Sequence, residues 1–476
     1  MTLDNLTNRA RWLAFVTLCL GDMLIVLDAT VVNVALPSIR NSLAFSEAGI
    51  TWVVNGYLLT FGGFLLLGGR LADLYGHRRL FLIGVAAFTL ASLVCGVAPS
   101  QEALIAARAV QGVAGAVCSA VALALIFSLF PEGPQRVKAM AWFGFISAGG
   151  GSVGVLLGGL ITSLLDWRWI FLINLPVGAV VIAMALRLIP RGVIPETRPR
   201  LDVAGAVLIT AALMLAVYGV VGTEHAGWTS PQTLGALAAA VALLIAFLVL
   251  ESRVREPLVP LSLFRLRSVA AANVIGVLWA AGMFAWFVLA ALYCQRVLGY
   301  SPLLVGLAFL PSNLIMGAFS FRLSELTVNR FGVRWPLALG LALVAGGLAL
   351  FSLAPVGGSF WLHVLPPMLL LGVGVGMAFN PVMLAAMSDV PEDQSGLASG
   401  LVNTAFMMGG ALGLAVLASV AASVTLARNV GDTPAALTAG YSVAFLVGAG
   451  CALTAALLAA LLIRTKIPAG GAAAAH

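Results

Sequence analysis

The sequence predicts an all-α polytopic membrane protein with fourteen transmembrane helices, and three observations predict it. Mean hydropathy is +1.08, with 61% of residues hydrophobic and 9% charged, where a soluble chain carries about 25% charged residues. Apolar windows of roughly 20 residues, the length that crosses a bilayer as a helix, recur throughout the chain. Basic residues fall preferentially on one side of those windows, as the positive-inside rule requires.

The predicted spans are 12–33, 49–69, 80–98, 103–129, 139–163, 169–188 and 203–221, followed by 233–250, 269–292, 303–323, 336–354, 362–387, 397–424 and 440–463. Gly, Pro or charged residues punctuate each boundary. An even number of spans puts both termini on one side. With the N-terminus cytoplasmic, the inner segments hold 20 of the 25 basic residues, and the outer segments hold only Arg40, Arg168, Arg296 and Arg428. Arg108 is left inside a span. A missed or invented span would invert every later loop, so the bias supports the span count and the cytoplasmic termini together.

This pattern divides the chain into a cytoplasmic tail (1–11), a six-helix bundle (12–188), two inserted helices (203–250), a cytoplasmic linker (251–268), a second six-helix bundle (269–463) and a C-terminal tail (464–476). The linker tract from Pro257 to Ser268 is short and amphipathic with Arg265 and Arg267, and is expected to lie along the inner leaflet. Arg9 and Arg11 precede the first apolar run as in a signal peptide, but no small-x-small cleavage site follows, so the first span is expected to be retained.

The same features exclude other classes. The formal charge of +7 is spread thinly among loops, without the clustered basic face of a nucleic-acid binder. Cys19, Cys95, Cys118, Cys294 and Cys451 lie in apolar stretches without ligand spacing. The sequence contains no Walker loop for an ATP-driven pump and no convergent ligands for an intramembrane enzyme. No metal or cofactor is expected.

Two loops resemble each other. LADLYGHRR, from Leu71 to Arg79, follows the second span, and LTVNRFGVRW, from Leu326 to Trp335, follows the tenth. Gly76 aligns with Gly332 and Arg78 with Arg334, while Asn329 stands where Asp73 does. Internal duplication of this kind marks secondary transporters built from two related bundles around a midplane site.

Four stretches of the first half carry a family resemblance: LDATVVNVALP (Leu27 to Pro37), GRLADLYGHRR (Gly69 to Arg79), RAVQGVAGA (Arg108 to Ala116) and GGGSVGVLLGG (Gly149 to Gly159). WRWIFLINLPVG (Trp167 to Gly178), EPLVPLSLFRLRS (Glu256 to Ser268) and SGLASGLVNTAFMMGGALG (Ser395 to Gly413) extend it almost to the C-terminus. The chain thereby resembles the fourteen-span drug:proton antiporters (EmrB/QacA type) of the major facilitator superfamily. The resemblance implies the major facilitator fold, alternating access, and proton-driven export of small lipophilic or cationic compounds. It also implies a monomer in the plasma membrane of a bacterium, with substrate, protons and lipid as its partners and no nucleic acid.

Asp28 and Arg108 are the central candidates, because an ionised side chain at depth costs about 2.5–3.5 kcal/mol or more. If the first span reaches the surface near Leu36, Asp28 lies about 12 Å beneath it; Arg108 lies about 10 Å below the same surface on the fourth span. The shared depth predicts a facing pair. The resemblance makes them proton-coupling elements, with Gln111 and Asn33 in the substrate cavity; the other reading is an ion pair that only joins helices. Asp22, six residues from Asp28, has no partner visible in the sequence. A buried carboxyl without a counter-ion is readily protonated, which makes Asp22 a second proton carrier or, equally, a solvated cavity residue.

The resemblance makes Asp73, Arg78 and Arg79 a cytoplasmic latch. Basic residues at a helix N-terminus are unfavourably placed, so these arginines should reach for carboxylates or exposed carbonyls of neighbouring helices. Glu392 and Asp393, in an acidic loop before the thirteenth span, are the expected partners from the opposite bundle. Gly150, Gly154, Gly158 and Gly159 allow close helix approach, although Val155 stands where related antiporters usually have a proline. Trp279, Met283, Trp286, Phe406 and Met407 offer polarizable surface, suited either to a substrate cavity or to contact with lipid. Two rival functions stay open: a symporter or uniporter of the same fold, and a membrane receptor that transports nothing.

Overall fold

A computed structural model describes residues 7–46, 48–130, 134–189, 202–254, 257–320, 324–387, 390, 395–428, 431 and 433–463. Among these residues fourteen long helices follow one another. They are α1 (Asn8–Leu43), α2 (Trp52–Tyr75), α3 (His77–Gly96), α4 (Gln101–Leu129), α5 (Pro134–Leu164) and α6, which joins Trp169–Leu172 to Asn174–Leu188. Then come α7 (Val203–Ala226), α8 (Pro231–Arg253), α9 (Arg267–Leu292), α10 (Pro302–Ala318), α11 (Arg334–Phe351), α12 (Leu365–Met387), α13 (Ser395–Ala427) and α14 (Pro434–Leu462).

Twelve of them are long and apolar enough to cross a membrane; the other two contribute shorter apolar stretches, Val153–Leu164 on α5 and Pro302–Ala318 on α10. The α-helical part of α10 reaches Ala318 and helical turns continue to 320, while 321–323, the end of the predicted span, lie outside the described residues. Several helices start where the sequence offers a cap. The side-chain oxygens of Ser230, Ser301 and Thr433 each accept from a backbone N–H of the first turn, and each is followed by a proline at the start of its helix, where a missing N–H costs nothing.

The first helix is longer than the predicted span 12–33. It runs through Pro37 to Leu43, with Ala44 as a left-handed cap (φ 56), so Arg40 belongs to the helix. Pro37 removes one hydrogen bond, which neighbouring helices in a bundle make tolerable. The linker corrects the sequence reading. Leu258 and Leu263 are buried with Leu67 of α2, Ala206 of α7, Phe247 of α8 and Leu401 of α13, so protein, not lipid, covers its apolar face.

In lipid no hydrophobic force drives helices together, and close packing takes its place. In the first half, α4 packs on α2 and α3, α5 on α1, and α6 on α1 and α3; in the second, α9 packs on α13 and α14, α11 on α12 and α14, and α10 on α12. The halves meet where α5 touches α10 and α2 touches α13. Near the ends of the helices remote from the termini, which we call the far face, Gln295 donates to the carbonyl of Val34 (2.9 Å) and the Leu303 N–H donates to Ser163 Oγ (3.1 Å). The inserted helices form a hairpin: α7 lies against α2 and α13, and α8 lies against α7.

The repeated loops take matching shapes. Gly76 ends α2 at φ 88, and Gly332 precedes α11 at φ 72, a conformation that L side chains avoid. Each turn is followed two residues later by an arginine, Arg78 or Arg334.

Candidate functional site

The first half carries three ionisable side chains well inside its described spans, Asp22, Asp28 and Arg108, and the structure brings two of them together. Asp28 and Arg108 are each 1% exposed, and Arg108 Nη1 donates to Asp28 Oδ2. The predicted pair forms because both residues sit on facing turns of α1 and α4. Breaking such a pair from one side leaves an uncompensated buried charge, at about 3–5 kcal/mol.

Neutral groups complete the shell. Gln111 donates to Asp28 Oδ1 (3.1 Å) and to Ser92 Oγ (2.7 Å) and accepts from Arg108 Nη1 (2.8 Å). Asn174 of α6 donates to the same Asp28 oxygen (2.9 Å). Arg108 Nε donates to the carbonyl of Val53 (2.9 Å), and its guanidinium lies 4.4 Å from the centroid of the Tyr57 ring. Four helices of one half, α1, α3, α4 and α6, therefore converge on one carboxylate, while α2 holds its counter-ion. Ser92, Asn174 and Tyr57 escaped the sequence reading; the only signal was a polar residue in an apolar run, which many innocuous positions share.

Asp22 sits apart. It is buried, and Ser119 of α4 donates to its Oδ1 (3.0 Å), which corrects the expectation of a carboxyl without a partner; the sequence could not show that α4 places a hydroxyl at that level.

The glycines of α5 serve two neighbours. A methyl at Gly150 would approach Val26 (3.3 Å), at Gly154 would overlap Thr30, and at Gly158 would meet the Val31 carbonyl (2.8 Å), all on α1. One at Gly159 would meet the Pro302 carbonyl (2.6 Å) on α10, and Gly306 faces Val155 at 2.9 Å. With Val155 in place of a proline, α5 remains an unbroken helix through this stretch.

In the second half the predicted aromatic residues fall into two groups. Trp279, fully buried, packs on Phe406 (4.9 Å between centroids) and Phe379 (6.2 Å), and Phe284 joins Phe406 (5.7 Å). Trp286 instead packs with Phe287 and Phe309 (4.4 and 5.7 Å). Both tryptophans face protein rather than lipid, and neither indole N–H has a hydrogen-bond partner. Met283 and Met407 are half-buried, the latter against Gly62 of α2 (3.1 Å). Asn33 is half-buried and its Oδ1 has no partner.

At the latch, Arg78 donates to the carbonyl of Leu186 in the last turn of α6, the kind of partner its position at a helix N-terminus called for. Arg79 is exposed. The side chain of Asp73, and Glu392 and Asp393 altogether, lie outside the described residues, so the predicted contact between the halves is not seen.

A multi-helix membrane body with a buried ion pair in one half and an aromatic cluster in the other has the construction of a secondary transporter. Residues 18–414 match the Major Facilitator Superfamily, and the chain belongs to that family, whose members transport and are not enzymes. It is 39% identical to the puromycin resistance protein of Streptomyces alboniger over 464 residues, covering 96% of this chain and 92% of the relative. It is 40% identical to the cephamycin export protein of Amycolatopsis lactamdurans over 438 residues, 91% and 88% of the two chains. The fold is shared with the crystal structure of a D-xylose-proton symporter, at a TM-score of 0.66 and 15% identity over 95% of this chain and 98% of the other.

Proposed function

We propose that this protein exports small lipophilic or cationic compounds, antibiotics or related metabolites among them, in exchange for protons. It would do so as a fourteen-span member of its family, as a monomer in the plasma membrane of a bacterium with both termini in the cytoplasm. The names of the relatives support the export of antibiotics. The buried hydrogen-bonded network around Asp28 carries the case for proton coupling. A carboxylate and a guanidinium at this depth are costly for a merely structural joint, and a proton on Asp28 would remove one of the two charges.

In this reading Arg108, Gln111 and Asn174 hold the Asp28 side chain in the resting network. A proton that reaches it abolishes the ion pair and frees the guanidinium, so proton and substrate exclude one another through one network. Asp22, with its Ser119 hydroxyl, lies nearer the terminal side and serves as the relay. The halves are locked at the far face by α5 on α10 and by Gln295 on Val34, which with cytoplasmic termini is the inward-facing state of alternating access. At about 2.3 kcal/mol per charge per 100 mV and about 1.4 kcal/mol per pH unit, one proton supports roughly a 500-fold substrate gradient.

Everted vesicles loaded by an imposed pH gradient test the reading. Accumulation of a lipophilic cationic dye, abolished by a protonophore, is expected. Dye movement that ignores the gradient would leave a uniporter, and movement in the opposite sense a symporter.

A further inference from the structure

Where α2 of the first half meets α13 of the second, one polar side chain has nothing to bind. Asn55 is fully buried, and neither its amide nitrogen nor its oxygen has a hydrogen-bond partner. Among the described residues no other buried amide lacks a partner at both ends. Its direction follows from the register of α2. Gly62 faces Met407 of α13 (3.1 Å), and Leu66 lies against Gly400 of the same helix (2.7 Å). Asn55 precedes Gly62 by seven residues, so it stays within about 20° of it around α2 and lies roughly 10 Å nearer the far face. Helix α13 runs the opposite way, and the residues seven and eight beyond Met407 are Leu414 and Ala415, both fully buried. Neither has a polar side-chain atom, and the backbone groups there are engaged within α13, a continuous helix from Ser395 to Ala427.

At this level each helix is fixed to its own half. On the first side, a methyl at Gly56 would meet the Ile105 carbonyl of α4 (3.4 Å), and the Val53 carbonyl accepts from Arg108 Nε (2.9 Å). On the second, a methyl at Gly409 would meet Val277 of α9 (2.7 Å), and methyls at Gly410 and Gly413 would overlap Phe284 and Ala281 of the same helix. A movement that opens the far face between the halves therefore carries α2 away from α13. It lets water reach the Asn55 amide.

The polar contacts across the far face act in the other direction. Gln295 donates to the Val34 carbonyl (2.9 Å), and the Leu303 N–H donates to Ser163 Oγ (3.1 Å). Both bonds exist while the halves touch and are lost when they part. For Asn55 the balance is reversed, because a buried amide without a partner carries the full desolvation penalty of its donor and acceptor. Opening removes that penalty, so the same face holds two contacts that favour closure and one side chain that opposes it.

We propose that Asn55 is a built-in destabiliser of the closed far face: its dry amide offsets the bonds of Gln295 and Ser163 and keeps the exchange between far-closed and far-open states near balance. A ligand or a proton then needs only a modest difference in affinity between the two states to shift their populations. The inference rests on movement of the halves and not on the compound carried or the ion that drives it, so the export reading can fail while this one stands.

Spin labels on Ser42→Cys and Ala427→Cys, both exposed at the far ends of α1 and α13, read the gap between the halves. The background is Cys451→Ser, in which the remaining native cysteines are buried. Double electron–electron resonance on the purified protein at pH 8, without ligand, gives the ratio of the far-open to the far-closed distance. Asn55→Leu removes the amide and keeps a branched shape, and the ratio should fall by about five-fold or more with no loss of unfolding temperature. Asn55→Asp keeps the size and is costlier to bury dry, so the ratio should rise. If leucine proves too large, shown by an unfolding temperature below the parent's, Asn55→Val takes its place with the same expected fall. The proposal stands only if the apolar variant lowers the ratio and Asn55→Asp raises it. Any other pattern overturns it, as does a parent with no measurable far-open component, since the exchange would then not be near balance.

Discussion

The two halves of this transporter solve the membrane's demand for an apolar interior in opposite ways. The first half buries Asp22, Asp28 and Arg108 and meets their cost with Gln111, Ser92, Asn174 and Tyr57. The described spans of the second half carry no ionisable side chain at comparable depth among their packed aromatic residues; their arginines lie at helix ends. A bundle with a charge that can be switched beside one without any is an asymmetry that duplication alone would not leave. On the function proposed above, this asymmetry would divide the labour, the proton acting on the first half and the lipophilic ligand resting mainly on the second.

The largest expected effect comes from breaking the charged half. Arg108→Ala strands Asp28 in a buried site and should lower stability by about 3–5 kcal/mol, read as a large fall in unfolding temperature in detergent together with loss of transport. Adding Asp28→Asn to that variant should recover much of the stability and none of the transport. A single Arg108→Ala protein as stable as the parent would show that the pair is not buried as described.

A smaller effect sharpens the same half. Asn174 donates to Asp28 Oδ1 (2.9 Å), and a hydrogen bond to a charged group is worth about 1.5–3 kcal/mol. Asn174→Ala should therefore lower the unfolding temperature in detergent, by less than Arg108→Ala does because Gln111 still donates to the same oxygen. A variant as stable as the parent would make this hydrogen bond energetically neutral.

The second half should respond in affinity rather than in pH dependence. Phe379 is 41% exposed, so Phe379→Ala should cost little stability. It should weaken dye binding by about 1 kcal/mol, the worth of an aromatic contact, seen as a several-fold rise in KM with the pH profile unmoved. A pH shift in this variant would blur the division between the halves.

The fold was legible in the sequence to within a turn at most boundaries, because hydropathy and charge bias are strong signals in a membrane chain. The exceptions have physical reasons. Pro37 reads as a stop, but in a bundle it only interrupts one hydrogen bond. The linker from Pro257 to Ser268 has the amphipathicity of a surface tract whether lipid or protein covers it. At the site, Asp28 and Arg108 were legible since buried charges are rare and a common depth pairs them. Ser92 and Asn174 were not, because uncharged polar residues in spans are common; Asn33, Asn55, Asn273 and Asn313 would have served equally well on paper.

Proton release on ligand binding tests the division most directly. Purified protein in weakly buffered detergent, acidified until it has taken up the coupling proton and then mixed with rhodamine 6G, should release protons detectable with a pH-sensitive dye. Release should vanish in Asp28→Asn while the ligand still binds, and it should survive in Phe379→Ala once the ligand concentration is raised to restore occupancy. Undiminished proton release from Asp28→Asn would contradict the account, because the coupling charge would then lie outside the network of the first half.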